Sequence, residues 1–421
     1  MTAMGRRVLA HRPKVLHLTT SDMSLDWLLK PQLVAFASAG FDVVTASADG
    51  PHVDALAAAG IEHHAVNSFT RAVDWRSDVG AARELASLFR NVRPDIIHTH
   101  NPKPGILGRV IGRFASNAAV VNTVHGLYAT NEDALVKRAA VYGVERFAAC
   151  FSDVELVQSG EDLELLAKLG VGADRLVHLG NGIDLDRFQP AAHHRTAALR
   201  LRRSLAISPS AVVVGIVGRM VRQKGYGEFI EAVSALRTHR PNSEVAFVTV
   251  GPDESHIRDG LSVSELDRLR GLNIHGLGQR TDMETVYSLF DVLVLPSYRE
   301  GFPRAAMEAN AMGVPVIASN VRGCREVVSH GVNGVLIPAR QAEALEDAIR
   351  ALVDDDLARS RMGRAGQQLS RARFDQQRVI NVTTAAYRRV LAERSRAPAY
   401  TSASRRLAVR PSNRDASESA A

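Results

Sequence analysis

Two glutamates, Glu300 and Glu308, stand where a carboxylate could hold a sugar. The apolar run at residues 291–296 predicts a buried strand, and Pro303 is well placed as the first residue of the following helix. Ligands of open α/β sheets bind where such strand-to-helix loops leave the sheet. A carboxylate accepts hydrogen bonds from neighbouring hydroxyls but repels a phosphate, so each glutamate is expected at a sugar or a ribose. On spacing alone, a solvated loop and a helix cap explain the two acids equally well.

The helix predicted at residues 303–312 would present a partly positive end to a ligand. It stops at Gly313, and residues 314–319 form the next apolar run, so two parallel strands and their crossover fit this segment. If the helix begins at Pro303, the unpaired N–H groups of residues 302–305 form a rim that suits phosphate or sugar oxygens. Both glutamates would flank that rim.

A second polar loop follows the apolar run that begins at residue 211. Gly218 permits close approach of a ligand to the backbone, while Arg219 and Lys224 bring two positive charges to the carboxyl end of the predicted strand. This arrangement suits a diphosphate, because two cations at short range would offset the charge that grows on a departing nucleoside diphosphate. The alternative is a solvated basic turn before a helix that starts near Gly225.

Histidines mark two strand ends in the first half of the chain. His98 and His100 are two residues apart on a predicted strand and therefore share a face, with Lys103 just beyond. A metal pair would need further ligands, and no Cys, Asp or Glu stands nearby to complete a closed site. Polar lining of a cleft, with Lys103 reaching an anionic substrate, is the favoured interpretation. His125 ends the next strand, where a lone histidine is usually structural.

The sequence resembles glycosyltransferase family 4 in three segments: residues 299–308 (REGFPRAAME), 313–318 (GVPVIA) and 331–334 (GVNG). The resemblance is specific over residues 215–338 and looser over residues 95–188. It implies a retaining transfer from a nucleotide sugar within a GT-B fold. No metal or separate cofactor is implied, since the nucleotide sugar is itself a substrate.

The same resemblance implies a role for each candidate residue. Glu300 would contact the hydroxyls of the donor sugar, Glu308 the ribose, and His125 would lie close to the bond that is cleaved. The nucleotide-sugar site also takes in the two loops already described and the loop after a strand near residue 275. Its remaining members are Gly218, Arg219, Lys224, Gly278, Gly301, Phe302 and Pro303. His98, His100 and Lys103 are acceptor-side candidates.

One departure from the family pattern and one additional motif bear on these assignments. Many family members carry a glycine pair after the first strand, whereas residues 21–27 here carry none, so the contribution of that loop stays open. Asp184 and Asp186 spell an Asp-x-Asp, which holds a divalent cation in transferases of another fold. The flanking sequence resembles the family's hinge segment instead, and no metal site is predicted.

The implied reaction is the transfer of a hexosyl or acetylhexosaminyl group from a UDP- or GDP-linked donor to an acceptor hydroxyl. The segment at residues 95–105 resembles members that build surface or capsular polysaccharide, which favours a lipid-linked glycan as acceptor. Two alternatives stay open: a GT-B isomerase (epimerase) acting on a nucleotide sugar, and a catalytically silent partner that binds one. No nucleic-acid motif is present.

A chain of 421 residues is longer than one core supports, so two domains are expected. Apolar runs alternate with helical stretches, which is typical of parallel α/β sheets. We predict two doubly wound Rossmann-like domains of the GT-B class facing each other across a cleft, at residues 13–190 and 191–373. The resemblance to GT-B proteins implies that a helix at residues 374–394 packs back on the first domain. Residues 395–421 lack apolar periodicity and are predicted to be a disordered tail.

Charge and hydropathy bear on location. No run approaches the roughly 18 apolar residues of a membrane span, and the first residues lack the apolar core of a secretory signal, so a cytoplasmic protein is predicted. The net charge of +7 suits an anionic partner. The basic segment at residues 193–203 is a solvated helix face or a contact with the inner face of the plasma membrane. Cys150 and Cys324 are expected to be buried and unpaired.

Overall fold

The computed structural model describes residues 12–70, 74–100, 102–130 and 133–396, and these form two units, each built on a parallel sheet. The first unit takes the chain up to Val157, Leu163–His178 and the residues from Ile380 onward. The second takes Gln158–Asp162 and Leu179–Val379. None of the described helices is long and apolar enough to cross a membrane.

The first unit contains a seven-stranded sheet in the order β3-β2-β1-β4-β5-β6-β7. Its strands are β1 (Lys14–Ser21), β2 (Asp42–Ala48), β3 (Glu62–Ala65), β4 (Ile96–His100), β5 (Ala119–Val124), β6 (Val154–Val157) and β7 (Leu176–His178). Its helices are α1 (Asp22–Ser24), which runs through a π turn (Leu25–Leu29) into α2 (Lys30–Ser38), α3 (Val53–Ala58), α4 (Trp75–Val92), α5 (Pro102–Ala115), α6 (Leu135–Ala149) and α7 (Gly160–Lys168). The strand predicted to carry His98 and His100 is β4, and the next predicted strand is β5, which ends one residue before His125.

The second unit contains a six-stranded sheet in the order β10-β9-β8-β11-β12-β13. Its strands are β8 (Val212–Val217), β9 (Val245–Val250), β10 (His275–Gly276), β11 (Val292–Leu295), β12 (Val316–Ser319) and β13 (Gly334–Ile337). A 3-10 turn (Arg222–Lys224) precedes α9, and the helices are α8 (Ala192–Ser204), α9 (Tyr226–His239), α10 (Val263–Gly271), α11 (Met283–Leu289), α12 (Arg304–Ala311), α13 (Arg322–Val327), α14 (Ala342–Asp354) and α15 (Asp356–Arg373). The last helix, α16 (Gln376–Arg396), begins in this unit and continues in the first. Both faces of the sheet are covered, since Val213 and Val214 lie in different apolar clusters.

Strand order fixes where ligands can bind. In the first sheet the order reverses between β1 and β4, and in the second between β8 and β11. Ligands of such sheets bind beyond the carboxyl ends of the strands at these switch points. The histidines of β4 and the loops after β8 and β11 therefore lie where ligands of such sheets bind.

The division between the units differs from the predicted boundary at residue 190. Ser159 donates a hydrogen bond to Glu326 at 2.8 Å, and the Gly160 amide donates to the same carboxylate at 2.7 Å, which ties Gln158–Asp162 to the second unit. The last helix, α16, gives its first turn to the second unit and the rest to the first. It reaches Arg396, and the tail predicted at residues 395–421 otherwise lies outside the described residues.

Three local expectations are corrected. Helix α12 begins one residue later than predicted, because Pro303 has an extended ψ of 108° and serves as its N-cap. No loop follows β1: a helix starts at once, where the Asp22 carboxylate accepts hydrogen bonds from the amides of Met23 and His52. Cys150 is exposed rather than buried, since it closes the end of α6, and both cysteines are free thiols.

Candidate active site

The loop after β8 lies directly against the loop after β11. Gly225 has a φ of +77°, and a Cβ on it would stand 2.1 Å from the carbonyl oxygen of Pro296. No other residue fits without moving the backbone, so a glycine at this position is what lets the two loops approach each other. The short 3-10 turn before Gly225 then turns the side chain of Lys224 toward the β11 loop.

Lys224 and Glu300, which the sequence placed on two separate loops, meet as an ion pair. Lys224 Nζ donates to Glu300 Oε1 at 2.6 Å, and the two side chains are 26% and 10% exposed. A pair this sheltered is weakly screened by solvent, so each charge fixes the other. Gly323 of α13 supports the loop from behind, because its Cα lies so close to the carbonyl oxygens of Glu300 and Gly301 that a Cβ would stand 2.5 and 2.4 Å from them.

Arg219 is held by an acid that sequence reasoning missed. Its guanidinium donates to Glu254 Oε2 at 3.1 Å, and the Glu254 side chain is 8% exposed while that of Arg219 is 35% exposed. Glu254 follows β9, so it comes from the next strand end along the sheet. An acid after a Gly-Pro-Asp turn carries little signal by itself, which explains why it was overlooked.

Glu308 lies inside α12 with both carboxylate oxygens engaged. Tyr287 donates its hydroxyl to Oε2 at 2.9 Å, and Arg304 Nε donates to Oε1 at 2.9 Å. Burial, together with the adjacent carboxylate, raises the pKa of Tyr287 well above its usual range, so the phenol stays a donor. A carboxylate accepts about four hydrogen bonds, so Glu308 keeps capacity for two hydroxyls.

The remaining nucleotide-site candidates shape backbone rather than present side chains. Phe302 packs edge-on against Phe374, with ring centroids 5.9 Å apart, and Pro303 caps α12. Because Pro303 has no N–H, the rim that the sequence predicted at residues 302–305 begins at Arg304. Gly278 has a φ of +62°, and its carbonyl accepts a hydrogen bond from the Gly251 amide at 2.8 Å.

In the first unit, hydrogen bonds connect six side chains in series, and we call this series the histidine chain. Its members in order are Thr123, His98, Tyr387, His17, His100 and His125. The successive contacts are Thr123 Oγ1 to His98 Nε2 at 2.7 Å, His98 Nδ1 to Tyr387 Oη at 2.5 Å, Tyr387 Oη to His17 Nε2 at 3.3 Å, His17 Nδ1 to His100 Nε2 at 3.1 Å and His100 Nδ1 to His125 Nε2 at 3.1 Å. The chain thus joins His98, His100 and His125 and adds three residues that the sequence did not suggest, His17, Thr123 and Tyr387.

Two family models match this chain: Glycosyltransferase Family 4 over residues 33–187 and Glycosyl transferases group 1 over residues 199–369. The Escherichia coli UDP-Gal:alpha-D-GlcNAc-diphosphoundecaprenol alpha-1,3-galactosyltransferase is 30% identical over 292 residues, which cover 69% of this chain and 74% of that protein. The chain belongs to glycosyltransferase family 4. It is an enzyme that transfers a glycosyl group.

Other members and structures agree with this assignment. The Staphylococcus aureus capsular polysaccharide biosynthesis glycosyltransferase CapM is 25% identical over 388 residues, covering 90% of this chain and 98% of CapM. The crystal structure of Anabaena HepE in complex with UDP and glucose superposes with a TM-score of 0.73 at 18% identity, covering 90% of this chain and all of HepE (100%). The fold is GT-B, as the sequence predicted.

The histidines of this family 4 enzyme raise the question of a metal. Within the part of the chain that the structure describes, the only group of three or more side chains able to hold an ion is His17, His98 and His100, whose ligand atoms lie within 4.8 Å of one another. Each of their ring nitrogens already has a hydrogen-bond partner in the histidine chain. An ion would have to displace those bonds. Asp184 also has a structural task, since it accepts hydrogen bonds from the amides of Asp186 and Arg187 at 3.0 Å.

Lys103 stands apart from the histidines. Its ammonium group lies 2.6 Å from Asp78 Oδ1 and 3.2 Å from the Thr70 hydroxyl. It is therefore an ion-pair partner of α4 in this structure, and its contact with an anionic substrate stays a prediction.

A pocket of about 380 Å³ lies beside the outer end of the histidine chain, between α5 and α6. Its walls are mainly apolar: Pro102, Ile106, Val124, Leu127, Tyr128, Ala140, Val141 and Val144, with His125 and Gly126 at one side. Its polar wall is made of Asn122, Thr123, Glu145 and the buried Arg109, which donates to Glu145 at 2.8 Å and to Glu155 at 2.9 Å. Because these polar groups satisfy one another, the pocket favours an apolar occupant.

Proposed function

We propose that this enzyme transfers a sugar, with retention of configuration, from a nucleoside diphosphate sugar to a lipid-linked glycan. The observation that supports a nucleotide-sugar donor is the sheltered ion pair of Lys224 and Glu300. Arg219 lies on the same loop as Lys224, after β8. A cation next to a carboxylate suits the two sides of the bond that is cleaved. The cation can stabilise the leaving diphosphate, and the carboxylate can bind the sugar hydroxyls. Glu308, which lies in α12, would bind the ribose.

In this mechanism the chain's own residues bind and orient. Lys224 and Arg219 stabilise the charge that develops on the departing diphosphate, while Glu300 fixes the sugar so that its reacting carbon faces the acceptor. The acceptor hydroxyl attacks on the side of the leaving group, and its proton passes to a phosphate oxygen of the donor. The bond from the anomeric carbon to the phosphate breaks as the new glycosidic bond forms.

A donor panel tests this proposal. The purified protein would be given UDP- and GDP-linked hexoses and acetylhexosamines with a lipid extract, and the released nucleoside diphosphate and the labelled lipid would be measured. The name of the Escherichia coli relative makes UDP the expected nucleotide. Release of a nucleoside diphosphate together with label in the lipid fraction supports transfer. Conversion of one nucleotide sugar into another, with no labelled lipid, would contradict transfer and favour an isomerase.

The apolar pocket supports a lipid-linked acceptor. A sugar placed against its walls would lose hydrogen bonds to water without replacing them, whereas a hydrocarbon chain would gain from burial. One side of the pocket belongs to α6 and includes Ala140 and Val144. Val136, four residues before Ala140, lies outside the pocket on the same helix face. The pocket wall therefore continues along α6 to its exposed end.

The exposed end of α6 is suited to a membrane surface. In the first turn Leu135 is 76% exposed and Val136 is 82% exposed, next to the exposed Lys137. Phe147, which is 57% exposed, and the exposed Arg146 lie in the last turn of the same helix. Apolar side chains beside cations are the pattern of a helix that lies in the interface of an anionic membrane. We propose peripheral contact there, at the cytoplasmic face, where the pocket could take the chain of a lipid from the bilayer.

Vesicle flotation should detect this contact. The double variant Leu135→Ser, Val136→Ser is expected to bind anionic vesicles at least about tenfold more weakly, since two side chains worth roughly 1.5 kcal/mol each would no longer be buried in lipid. Leu357→Ser is the control, because Leu357 is 81% exposed on α15 of the second unit. Equal binding by both variants and the unaltered protein at low ionic strength would rule out this surface.

A further inference from the structure

Tyr298 anchors the loop that carries Glu300. Residues 296–303 lie in neither a helix nor a strand, so other contacts must hold this loop in place. The Tyr298 amide donates to the carbonyl of Gln223 at 2.9 Å, and its hydroxyl lies 2.8 Å from both carboxylate oxygens of Glu228. Glu228 belongs to the first turn of α9. The backbone and the side chain of one residue therefore fasten the loop at two points, two residues before Glu300.

The hydroxyl of Tyr298 is a lasting hydrogen-bond donor. Burial and the hydrogen bond to Glu228 raise the pKa of Tyr298 above its usual range, so the phenol keeps its proton. A hydrogen bond from a phenol to a charged carboxylate is stronger than one between two neutral groups. The contact with Glu228 therefore restrains the loop more firmly than an ordinary side-chain hydrogen bond would.

Arg340 covers the ring of Tyr298 from the loop between β13 and α14. Its guanidinium carbon lies 3.8 Å from the ring centroid, which is the geometry of a cation–π contact. Arg340 also has a φ of +61°, in the left-handed region where a residue with a Cβ is strained and glycine is not. The favourable contact of its side chain with the ring opposes that strain. We call Tyr298, Glu228 and Arg340 the tyrosine clamp.

The ion pair with Lys224 does not by itself fix the direction of the Glu300 carboxylate. A lysine ammonium is a point charge on a flexible stem with three rotatable donors, so it restrains the distance to a carboxylate more than its orientation. When a diphosphate binds at Lys224, as in the proposed function, that charge is shared between two anions. A restraint that does not involve Lys224 is then needed to keep Glu300 at the sugar.

We propose that Tyr298 is a positioning residue which, held by Glu228 and Arg340, sets the place of the Glu300 carboxylate against the donor sugar. The inference rests on the proposed role of Glu300 in transfer. Two residues of extended chain span about 7 Å, so a shift of the Tyr298 anchor moves Glu300 as well. A displacement of about 1 Å at a reacting centre can lower a rate by about 100-fold. The tyrosine clamp thus acts on turnover through Glu300.

Tyr298→Phe tests the proposal, because it removes the hydroxyl and keeps the ring beside Arg340. The expected result is a kcat roughly 10- to 100-fold lower, with the KM for the donor changed less than about threefold. Calorimetry should show an unchanged affinity for the free nucleoside diphosphate, which also shows that the second unit is folded. A normal kcat, or equal losses of kcat and of nucleotide affinity, would overturn the proposal.

A double-mutant cycle with Glu228 gives a test that does not depend on one variant. Glu228→Ala should lower kcat as much as Tyr298→Phe, and the double variant should be no worse than either single one, because all three lack the same hydrogen bond. Glu228→Gln keeps an acceptor oxygen for the phenol, so its kcat should stay within about fivefold of normal. Losses that multiply in the double variant would overturn the proposal.

Arg340→Gly separates the side chain of Arg340 from its backbone. Glycine adopts a φ of +61° without strain, so thermal stability should hold, whereas kcat should fall roughly three- to tenfold because the ring of Tyr298 loses its cation. Arg237→Ala is the matched control and should leave kcat unchanged, since Arg237 makes a cation–π contact with Phe247 of the same unit at 5.4 Å from the ring centroid. A normal kcat in Arg340→Gly would overturn the role of Arg340 in the clamp.

The outcome for Glu300 itself separates this inference from the proposed function. If Glu300→Ala transfers sugar at the normal rate, Glu300 is not at the sugar, and both the proposed donor contact and its positioning are wrong. If Glu300→Ala is impaired while Tyr298→Phe turns over normally, the role of Glu300 stands and the positioning by Tyr298 fails.

Discussion

Lys224→Ala is expected to lower turnover by roughly 30- to 900-fold, because a charge-assisted contact to the leaving diphosphate is worth about 2 to 4 kcal/mol in the transition state. The variant also leaves the Glu300 carboxylate, whose side chain is 10% exposed, without the cation 2.6 Å away. Steady-state rates with a saturating donor measure the effect. Arg219→Ala should behave alike, since Arg219 lies on the same loop after β8 as Lys224.

Arg222→Ala is the matched control for both cations. Arg222 lies in the same turn, but its guanidinium donates to Glu265 at 2.9 Å and its side chain is 47% exposed. An exposed ion pair contributes little because solvent screens it, so turnover should stay within about fivefold of normal. Near-normal turnover in Lys224→Ala and Arg219→Ala would remove both residues from the donor site.

Glu300→Ala is expected to reduce transfer by at least about 100-fold, since it removes the group that orients the donor sugar at the reacting carbon. The loss should fall mainly on kcat, because the nucleotide part of the donor keeps its own contacts. Glu346→Ala is the control: Glu346 is a buried acid of the second unit that pairs with His239 at 2.7 Å, on the helices α14 and α9. Unimpaired transfer by Glu300→Ala would show that this carboxylate is not at the sugar.

The two sheets and the meeting of the loops after β8 and β11 were largely predictable from sequence. Most strands are short apolar runs between glycine, proline or polar residues, and buried parallel strands need little else to be recognised. That Lys224 meets Glu300 also follows from the sequence in principle: β8 and β11 are paired strands, and both loops leave the same edge of the sheet. Local patterns together with one topological rule place both residues.

The histidine chain was only partly predictable. His98 and His100 could be assigned to one strand face, but His17 lies on β1 and becomes their neighbour only because β1 pairs with β4, where His17 and His98 are register partners. Tyr387 is 289 residues from His98 and lies in a helix whose pattern says only that one face is apolar. A hydroxyl on such a face has no signature in the sequence, because its partner is fixed by tertiary packing.

Small differences arose where a side chain overrides a local rule. Pro303 satisfies the usual preference for the first turn of a helix, yet its ψ of 108° makes it the cap instead. Asp22 starts a helix where a loop was expected, because its carboxylate binds the Met23 and His52 amides. Neither contact can be inferred from neighbours in the sequence alone.

The assignment of the two glutamates to different parts of one donor is the central claim, and calorimetry with free UDP and GDP tests it most directly. Glu308→Ala should weaken binding of the preferred nucleoside diphosphate by roughly 10- to 150-fold, because hydrogen bonds from the ribose to a charged group are worth about 1.5 to 3 kcal/mol. Glu300→Ala should leave that affinity nearly intact. Equal losses of affinity in the two variants would contradict the claim.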